Sequence, residues 1–108
     1  MDNLLDLERL IDFVVSKYKP EKIILFGSYA TKTERKSSDI DLLIIKETNK
    51  RFVDRVIELV QLIRERFGFK YPVEPLIYTP KEWKSAEEIN SAFIRLVSSK
   101  GIVLYEKE

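Results

Sequence analysis

Two aspartates separated by one residue stand at the start of an apolar run. Asp39 and Asp41 flank Ile40 and precede Leu42–Ile45. Because successive side chains of a strand alternate between its faces, we expect both carboxylates on one side and Ile40 on the other. Two carboxylates held this close repel each other unless a cation lies between them or one takes up a proton. Carboxylate oxygens together with substrate phosphates are the ligands that Mg²⁺ prefers, so the pair predicts a magnesium site.

A Gly-Ser pair earlier in the chain predicts a turn that binds phosphate. Gly27 and Ser28 directly follow the apolar run Ile23–Phe26, which is typical of a strand buried on both faces. Glycine lets the backbone bend sharply and approach a ligand, and Ser28 adds a hydroxyl beside N–H groups that can bind an anion. Ser38, immediately before Asp39, is a further candidate nucleotide-binding residue.

A mostly polar loop of ten residues, 29–38, connects this turn to the aspartates. Its first residues can form one helical turn whose N-terminus helps to hold phosphate. Lys32 is a candidate nucleotide-binding residue of the loop, and Arg35 and Lys36 are further cations that could reach a triphosphate. The alternative is that the charged loop is simply solvated.

The combined pattern of Gly-Ser, ten residues and Asp-x-Asp resembles the signature of the polymerase β-type nucleotidyltransferase superfamily. The resemblance implies an α/β (α+β) fold with a polymerase β-like core, in which helices cover a small mixed sheet. It also implies that Gly27 and Ser28 grip the triphosphate of ATP. Asp39 and Asp41 would then bind two Mg²⁺ ions that activate an acceptor hydroxyl and stabilise the leaving pyrophosphate. The chain departs from the family at Lys32, near which a second glycine is common.

A third acidic residue lies in the predicted strand Tyr71–Tyr78. Pro75 cannot donate to a β-ladder, so this strand is expected at a sheet edge or with a bulge. Glu74 is either an exposed edge residue or a third catalytic, metal-binding carboxylate. The superfamily places its third acidic residue on the corresponding strand, although that residue is commonly Asp. Since the chain contains no histidine, Glu74 is also the candidate to receive the acceptor proton.

The remaining apolar residues recur at helical spacing and predict the scaffold. One helix is expected from Leu4 to Tyr18 and another over 52–67, capped by Gly68. Capping boxes at Thr79–Glu82 and Ser85–Glu88 predict two more helices. A final strand is expected at 102–105. In the 52–67 helix the predicted solvent face comprises Asp54, Arg55, Glu58, Arg64 and Glu65, and the last helix has Ile89, Phe93, Leu96 and Val97 as its predicted apolar face.

Length and composition limit the kinds of chemistry and of partner that the protein can have. The 108 residues predict a single domain spanning 1–108, and a net charge of +1 gives no bias toward nucleic acid as a partner. The chain lacks cysteine and histidine, which excludes disulfides, thiol chemistry and a zinc site with histidine ligands. No apolar run approaches the roughly 18 residues of a membrane helix. We therefore expect a cytoplasmic protein without a membrane partner.

A chain of this length is expected to take its acceptor-binding surface from a partner or from a second copy of itself. It resembles the antitoxin halves of two-component toxin–antitoxin pairs, whose partner is a small helical HEPN protein. That resemblance implies transfer of AMP from ATP to a tyrosine of the toxin. Two alternatives stay open, namely nucleotidyl transfer to a small molecule such as an aminoglycoside, and a non-catalytic module that neutralises a toxin by contact. A glycosyltransferase-type Asp-x-Asp fits less well, because such enzymes need a larger nucleotide-sugar domain.

Overall fold

The computed structural model describes the backbone of residues 3–108 and the side chains from residue 7 onward. This part of the chain folds into a four-stranded sheet with helices on both faces. None of its helices has the length and apolar character needed to cross a membrane. In chain order the elements are α1 (Asn3–Tyr18), β1 (Lys22–Phe26), α2 (Ser28–Thr31), β2 (Ile40–Ile45), α3 (Phe52–Phe67), β3 (Val73–Tyr78), α4 (Pro80–Ile89), α5 (Ala92–Lys100) and β4 (Ile102–Glu106).

The sheet is mixed, as predicted, and its strands lie in the order β3-β2-β1-β4. β1 is antiparallel to both β2 and β4, whereas β2 is parallel to β3. β3 lies at an edge, which confirms the position predicted from Pro75. Because β1 and β2 run in the centre, each presents apolar residues to both faces.

The larger core lies between one face of the sheet and the helices α1 and α3. The predicted apolar stripe of α1 forms its outer layer, except that the side chain of Leu4 lies outside the described residues. Fully buried residues of this core come from both helices and from three strands: Leu10, Val14, Ile23, Leu42, Ile44, Leu59 and Ile77. Burial of this apolar surface is the main term that holds α1 and α3 on the sheet.

A smaller core covers the opposite face beneath α4 and α5. Ile24 and Leu43 of the central strands contact Val97 of α5 there. Trp83 packs against this cluster, with the centre of its ring 5.6 Å from that of Tyr78.

The predicted second start of a C-terminal helix is wrong. Ser85 lies inside α4, and the next helix begins after Ser91, whose hydroxyl accepts the Ile94 N–H. The Thr79–Glu82 box starts the helix earlier, with Pro80 at the first helical position, so the second box only continues it.

The shift of this boundary also changes which side chains are buried. Ile89 is 77% exposed and Leu96 is 49% exposed, so their assignment to an apolar face is wrong. Ile94 and Val97 form the buried face of α5 instead, and Phe93 is partly buried as predicted. Asn90, at a φ of 52°, ends α4 in the left-handed region and turns the chain.

Arg55 is a second correction, because it is only 5% exposed rather than on the solvent face. Its guanidinium donates to the Ile77 carbonyl at 3.0 Å and to the carboxylate oxygens of Glu82 at 2.7 and 3.1 Å. A fourth hydrogen bond, at 2.8 Å, runs from Arg55 Nε to the Lys50 carbonyl. Helical periodicity assigns every charged residue to the solvent face. It therefore cannot predict that Arg55 is buried, because groups that accept its hydrogen bonds lie on β3 and α4.

Candidate active site

The turn after β1 is built around Gly27, which has a φ of 73° and precedes α2. Its carbonyl accepts the N–H groups of Ala30 and Thr31 at 3.1 and 3.2 Å, which confirms the predicted helical turn. The N–H groups of Ser28 and Tyr29 therefore stand at the start of this turn, where backbone donors have no partner within the helix. Tyr29 and Ala30 also pack against the larger core, so the turn is anchored to the sheet.

Gly27 is in direct contact with the second aspartate. A Cβ added to Gly27 would overlap Oδ2 of Asp41 and would lie 3.0 Å from its Cγ. The carboxylate thus lies against the backbone of the turn, closer than any side chain at position 27 would permit. The predicted phosphate turn and the predicted metal ligand are therefore adjacent groups of a single site.

Three strands contribute one row of residues to this end of the sheet. Asp41 is paired in register with Phe26 of β1 on one side and with Glu74 of β3 on the other. Neighbouring strands lie roughly 4.8 Å apart, and in-register side chains share a face. The structure therefore places Glu74 beside Asp41, on an exposed part of the edge strand. Asp39 is also exposed and directly precedes β2, whose first residue, Ile40, is buried as predicted.

The two aspartates influence each other electrostatically. Burial raises the pKa of Asp41 above its usual range, and the nearby Asp39 carboxylate raises that pKa further. Both effects penalise the ionised form of Asp41, and a bound cation would remove the penalty. Asp39 and Asp41 therefore fit a divalent cation, because carboxylate oxygens are ligands that Mg²⁺ prefers.

The described side chains do not form a cluster of three ligands. Among those of residues 7–108, no three His, Cys, Asp or Glu are grouped so that they could hold a metal ion. Glu74 is a register neighbour of Asp41, but it does not complete such a group in this structure. Its role as a third ligand stays a prediction.

The two other predicted nucleotide-binding residues lie in the connecting loop. The Ser38 hydroxyl accepts the N–H of Arg35 at 2.8 Å, so it closes a turn of that loop. Lys32 adopts a left-handed conformation, with φ 59° and ψ 36°, and its side chain is exposed. Glycine adopts this left-handed backbone conformation most easily. Lys32 therefore has the backbone conformation expected of the family's second glycine, although its side chain is that of lysine.

A cleft of about 460 Å³ adjoins the carboxylates on the side of α3. Its lining includes Asp39 and Glu74, Arg64 in the last turn of α3, and Phe69 just after that helix. Sequence reasoning missed both Arg64 and Phe69, since Arg64 was assigned only to a solvent face. The available signal was a large aromatic residue, Phe69, immediately after the helix-ending Gly68 and outside any helical or strand pattern. The full lining is Asp39, Val60, Ile63, Arg64, Gly68, Phe69, Tyr71, Pro72, Val73 and Glu74.

Comparison with solved structures identifies similar folds. A toxin–antitoxin crystal structure with AMP-PNP has a TM-score of 0.65 at 22% identity, covering 94% of this chain and 73% of that one. A candidate nucleotidyltransferase from Sulfolobus solfataricus gives a TM-score of 0.59 at 16% identity, covering 93% of this chain and 77% of that one. The toxin–antitoxin MntA-HpeT, in a mutant form, gives a TM-score of 0.57 at 16% identity, with coverage of 94% and 73%. The fold is therefore the polymerase β-like nucleotidyltransferase fold, as expected.

Sequence comparison identifies the family. Residues 7–99 match the family described as nucleotidyltransferase domain. The chain is also 35% identical over 101 residues to MJ0604 of Methanocaldococcus jannaschii, which is named as a candidate protein adenylyltransferase. That alignment covers 92% of this chain and 94% of MJ0604. With matches of this extent, on a fold that brings Gly27 against Asp41, the chain belongs to the nucleotidyltransferase domain family.

Proposed function

We propose that this protein transfers AMP from ATP to a hydroxyl group of another protein, a tyrosine of a HEPN-type partner toxin, and thereby acts as its antitoxin. The observation that carries the proposal is the contact between the Gly27 backbone and the Asp41 carboxylate. The Gly27 turn would hold the phosphates and Asp41 would hold Mg²⁺, so the two need to be adjacent for the metal to neutralise the charge of the same triphosphate. Binding without catalysis would not require this pair of repelling acids.

The turn and its loop would bind the nucleotide. The N–H groups at the start of α2 and the Ser28 hydroxyl would hold the phosphates that leave as pyrophosphate. Lys32 would add a positive charge from the exposed loop. Ser38 would keep the loop closed next to Asp39, because its hydroxyl already accepts the Arg35 N–H.

The carboxylates would align the acceptor. Asp39 and Asp41, with Glu74 as a third ligand, would hold two Mg²⁺ ions, which supply charge neutralisation at the triphosphate and lower the pKa of the acceptor hydroxyl. The acceptor oxygen forms a bond to the α-phosphorus while the bond from that phosphorus to the bridging oxygen breaks and pyrophosphate leaves. Glu74, exposed and beside Asp41, would receive the proton of the acceptor hydroxyl.

The choice of a protein acceptor rests on the comparisons. MJ0604, which is similar along almost its whole length, is named as a candidate protein adenylyltransferase. Two of the similar folds come from toxin–antitoxin structures, one of them crystallised with an ATP analogue. These similarities favour a protein acceptor over an aminoglycoside.

The test combines the purified protein, Mg²⁺ and ATP with the product of the neighbouring gene. Mass spectrometry should find one AMP added to a tyrosine of that product, and the modified product should lose its toxicity. Asp41→Asn should form no adduct, while EDTA should stop the wild-type reaction. If Asp41→Asn neutralises the partner as well as the wild type does, and neither forms an adduct, the protein is a binding antitoxin instead.

A further inference from the structure

The Gly27 turn is anchored on both faces of the sheet. On the side of α1 and α3, Tyr29 and Ala30 pack against the larger core. On the side of α4 and α5, Phe26, the last residue of β1, packs against the smaller core. Gly27 lies between these two anchors in the chain, so its position depends on both of them.

An aromatic contact holds Phe26 on the second of these faces. The ring of Phe93 in α5 has its centre 5.5 Å from the centre of the Phe26 ring, at an interplanar angle of 83°. This edge-to-face geometry is a favoured arrangement of two aromatic rings. Both side chains are partly buried and belong to the smaller core. The contact therefore supports the end of β1 from which the Gly27 turn departs.

The helix that carries Phe93 is itself fixed on the sheet. Val97, one helical turn after Phe93, is only 2% exposed and belongs to the smaller core. The Ser91 hydroxyl caps the start of α5 by accepting the Ile94 N–H. Because residues four apart lie on the same side of a helix, the burial of Val97 also directs Phe93 toward the sheet.

Phe26 connects this packing to the groups that would hold metal and phosphate. It is paired in register with Asp41, so the two side chains lie beside each other on the face beneath α5. The next residue, Gly27, leaves no space between its backbone and the Asp41 carboxylate. A displacement of Phe26 would therefore disturb the turn and the carboxylate together.

We propose that Phe93 is a positioning residue of the active site, whose ring holds Phe26 and thereby keeps the Gly27 turn and the Asp41 carboxylate in the arrangement that binds Mg²⁺ and the triphosphate. The proposal rests on the proposed function and adds a residue of α5 to the site. Phe93 acts through Phe26 and takes no part in the chemical step. Small displacements suffice for a measurable effect, because an error of about 1 Å in the placement of reacting groups can cost about 100-fold in rate.

The experiment measures AMP transfer to the partner and, separately, the binding of Mg²⁺ with an ATP analogue that cannot be cleaved. Phe93→Ala should lower kcat about tenfold, leave the KM for the partner within about twofold and weaken binding of the analogue about fivefold. Phe93→Tyr keeps the ring and should retain the wild-type values. Phe93→Leu keeps apolar bulk in the core without the ring, so it should show the same losses more weakly.

Phe13→Ala is the matched control. Phe13 makes an edge-to-face contact of similar geometry with Phe67, at 5.3 Å and 77°, but in the larger core on the opposite face of the sheet. Its loss should destabilise the protein to a similar degree, yet leave kcat and analogue binding unchanged at a temperature at which both variants are folded.

Two results would overturn the positioning role. One is an equal loss of kcat and of analogue binding in Phe13→Ala and Phe93→Ala, which would show that reduced stability alone explains the effect. The other is wild-type kcat and binding in Phe93→Ala and Phe93→Leu. A wild-type protein that transfers no AMP refutes the proposed function instead, and the comparison of analogue binding still tests Phe93.

Discussion

At the scale of single residues, the site depends on one position where space and backbone conformation both require glycine. Gly27 has a positive φ, and its Cβ position is filled by the Asp41 carboxylate. Gly68 also has a positive φ, but nothing lies within 4 Å of its Cβ position. Substitution of Gly68 would therefore introduce backbone strain alone, whereas substitution of Gly27 would introduce both strain and steric overlap.

Gly27→Ala should lower the free energy of unfolding by about 2–4 kcal/mol, because strain and overlap add. Gly68→Ala should cost only about 1 kcal/mol, which is the strain alone. Urea unfolding of both variants measures the difference. Equal losses would show that the Gly27 contact with Asp41 contributes nothing.

Asp41→Asn should stabilise the metal-free protein at neutral pH by roughly 0.5–1 kcal/mol, at the expense of activity. The folded protein raises the pKa of Asp41, so it binds that proton more tightly than the unfolded chain does. The contribution of this group to stability is therefore full at low pH and falls as pH rises through its folded pKa. The gain from Asn should accordingly be largest at pH 7 and should vanish below pH ~4.

Denaturation in EDTA at pH 7 and at acidic pH measures this gain. Asp39→Asn is the matched control, because it removes the same repulsion but no buried charge, and it should stabilise the protein less. If Asp41→Asn is less stable than the wild type at pH 7, burial and repulsion from Asp39 do not destabilise the ionised Asp41 carboxylate.

At the scale of elements, Arg55 joins α3 to β3 and to the start of α4. Glu82 also belongs to the capping box of α4, in which its carboxylate accepts the Thr79 N–H at 2.8 Å. The hydrogen bond with Arg55 is the largest of the effects that hold the pKa of Glu82 below its usual range. One carboxylate thus caps a helix and neutralises a buried guanidinium.

Glu82→Ala should lower the free energy of unfolding at pH 7 by about 2–3 kcal/mol, because it removes a cap and leaves the buried guanidinium without its carboxylate. Glu87→Ala, an exposed change on the same helix, should change it by less than about 0.5 kcal/mol.

The pH dependence of unfolding tests the same contact. The pKa of Glu82 is lowered on folding, so its contribution is present above the ordinary pKa of about 4.3 and is lost as pH falls through the folded value. Wild-type protein should therefore lose stability more steeply below pH ~4.3 than Glu82→Ala does. Parallel pH profiles of the two proteins would contradict a strong contact between Glu82 and Arg55.

At the scale of the whole molecule, the site joins parts of the chain that are distant in sequence. The turn after β1, the start of β2 and the start of β3 meet at one end of the sheet, and residues of α3 line the cleft beside them. A ligand that bridges these elements binds the folded chain only, so binding must appear as added stability.

Mg²⁺ with an ATP analogue that cannot be cleaved should raise the free energy of unfolding by about 2.7 kcal/mol at a concentration 100-fold above its Kd. Thermal unfolding with and without the ligand measures the shift. The analogue in EDTA should give a much smaller shift, and so should the complete ligand with Asp39→Asn. Stabilisation that survives EDTA unchanged would show that the nucleotide binds without metal.

Local patterns in the sequence determined most of the elements and the residues around which the site is built. Apolar spacing located β1, β2 and α3, and the chemistry of glycine and carboxylates singled out Gly27, Asp39 and Asp41. These inferences succeed because alternation, helical periodicity and turn preferences depend on neighbours along the chain. The same locality explains the misplaced helix start at Ser85, since its capping box is as good locally as the one that begins at Thr79.

Only the tertiary structure decided the contacts between distant segments. The register of β3 put Glu74 beside Asp41, and the packing of α3 on β3 buried Arg55. The same packing placed Arg64 and Phe69 in the lining of a cleft beside the start of β3. Strand pairing and helix packing bring together residues that are tens of positions apart in the sequence. Local periodicity of apolar residues does not indicate which of these distant residues become neighbours. The sequence therefore indicated the chemistry of the site, whereas folding decided which of its groups stand together.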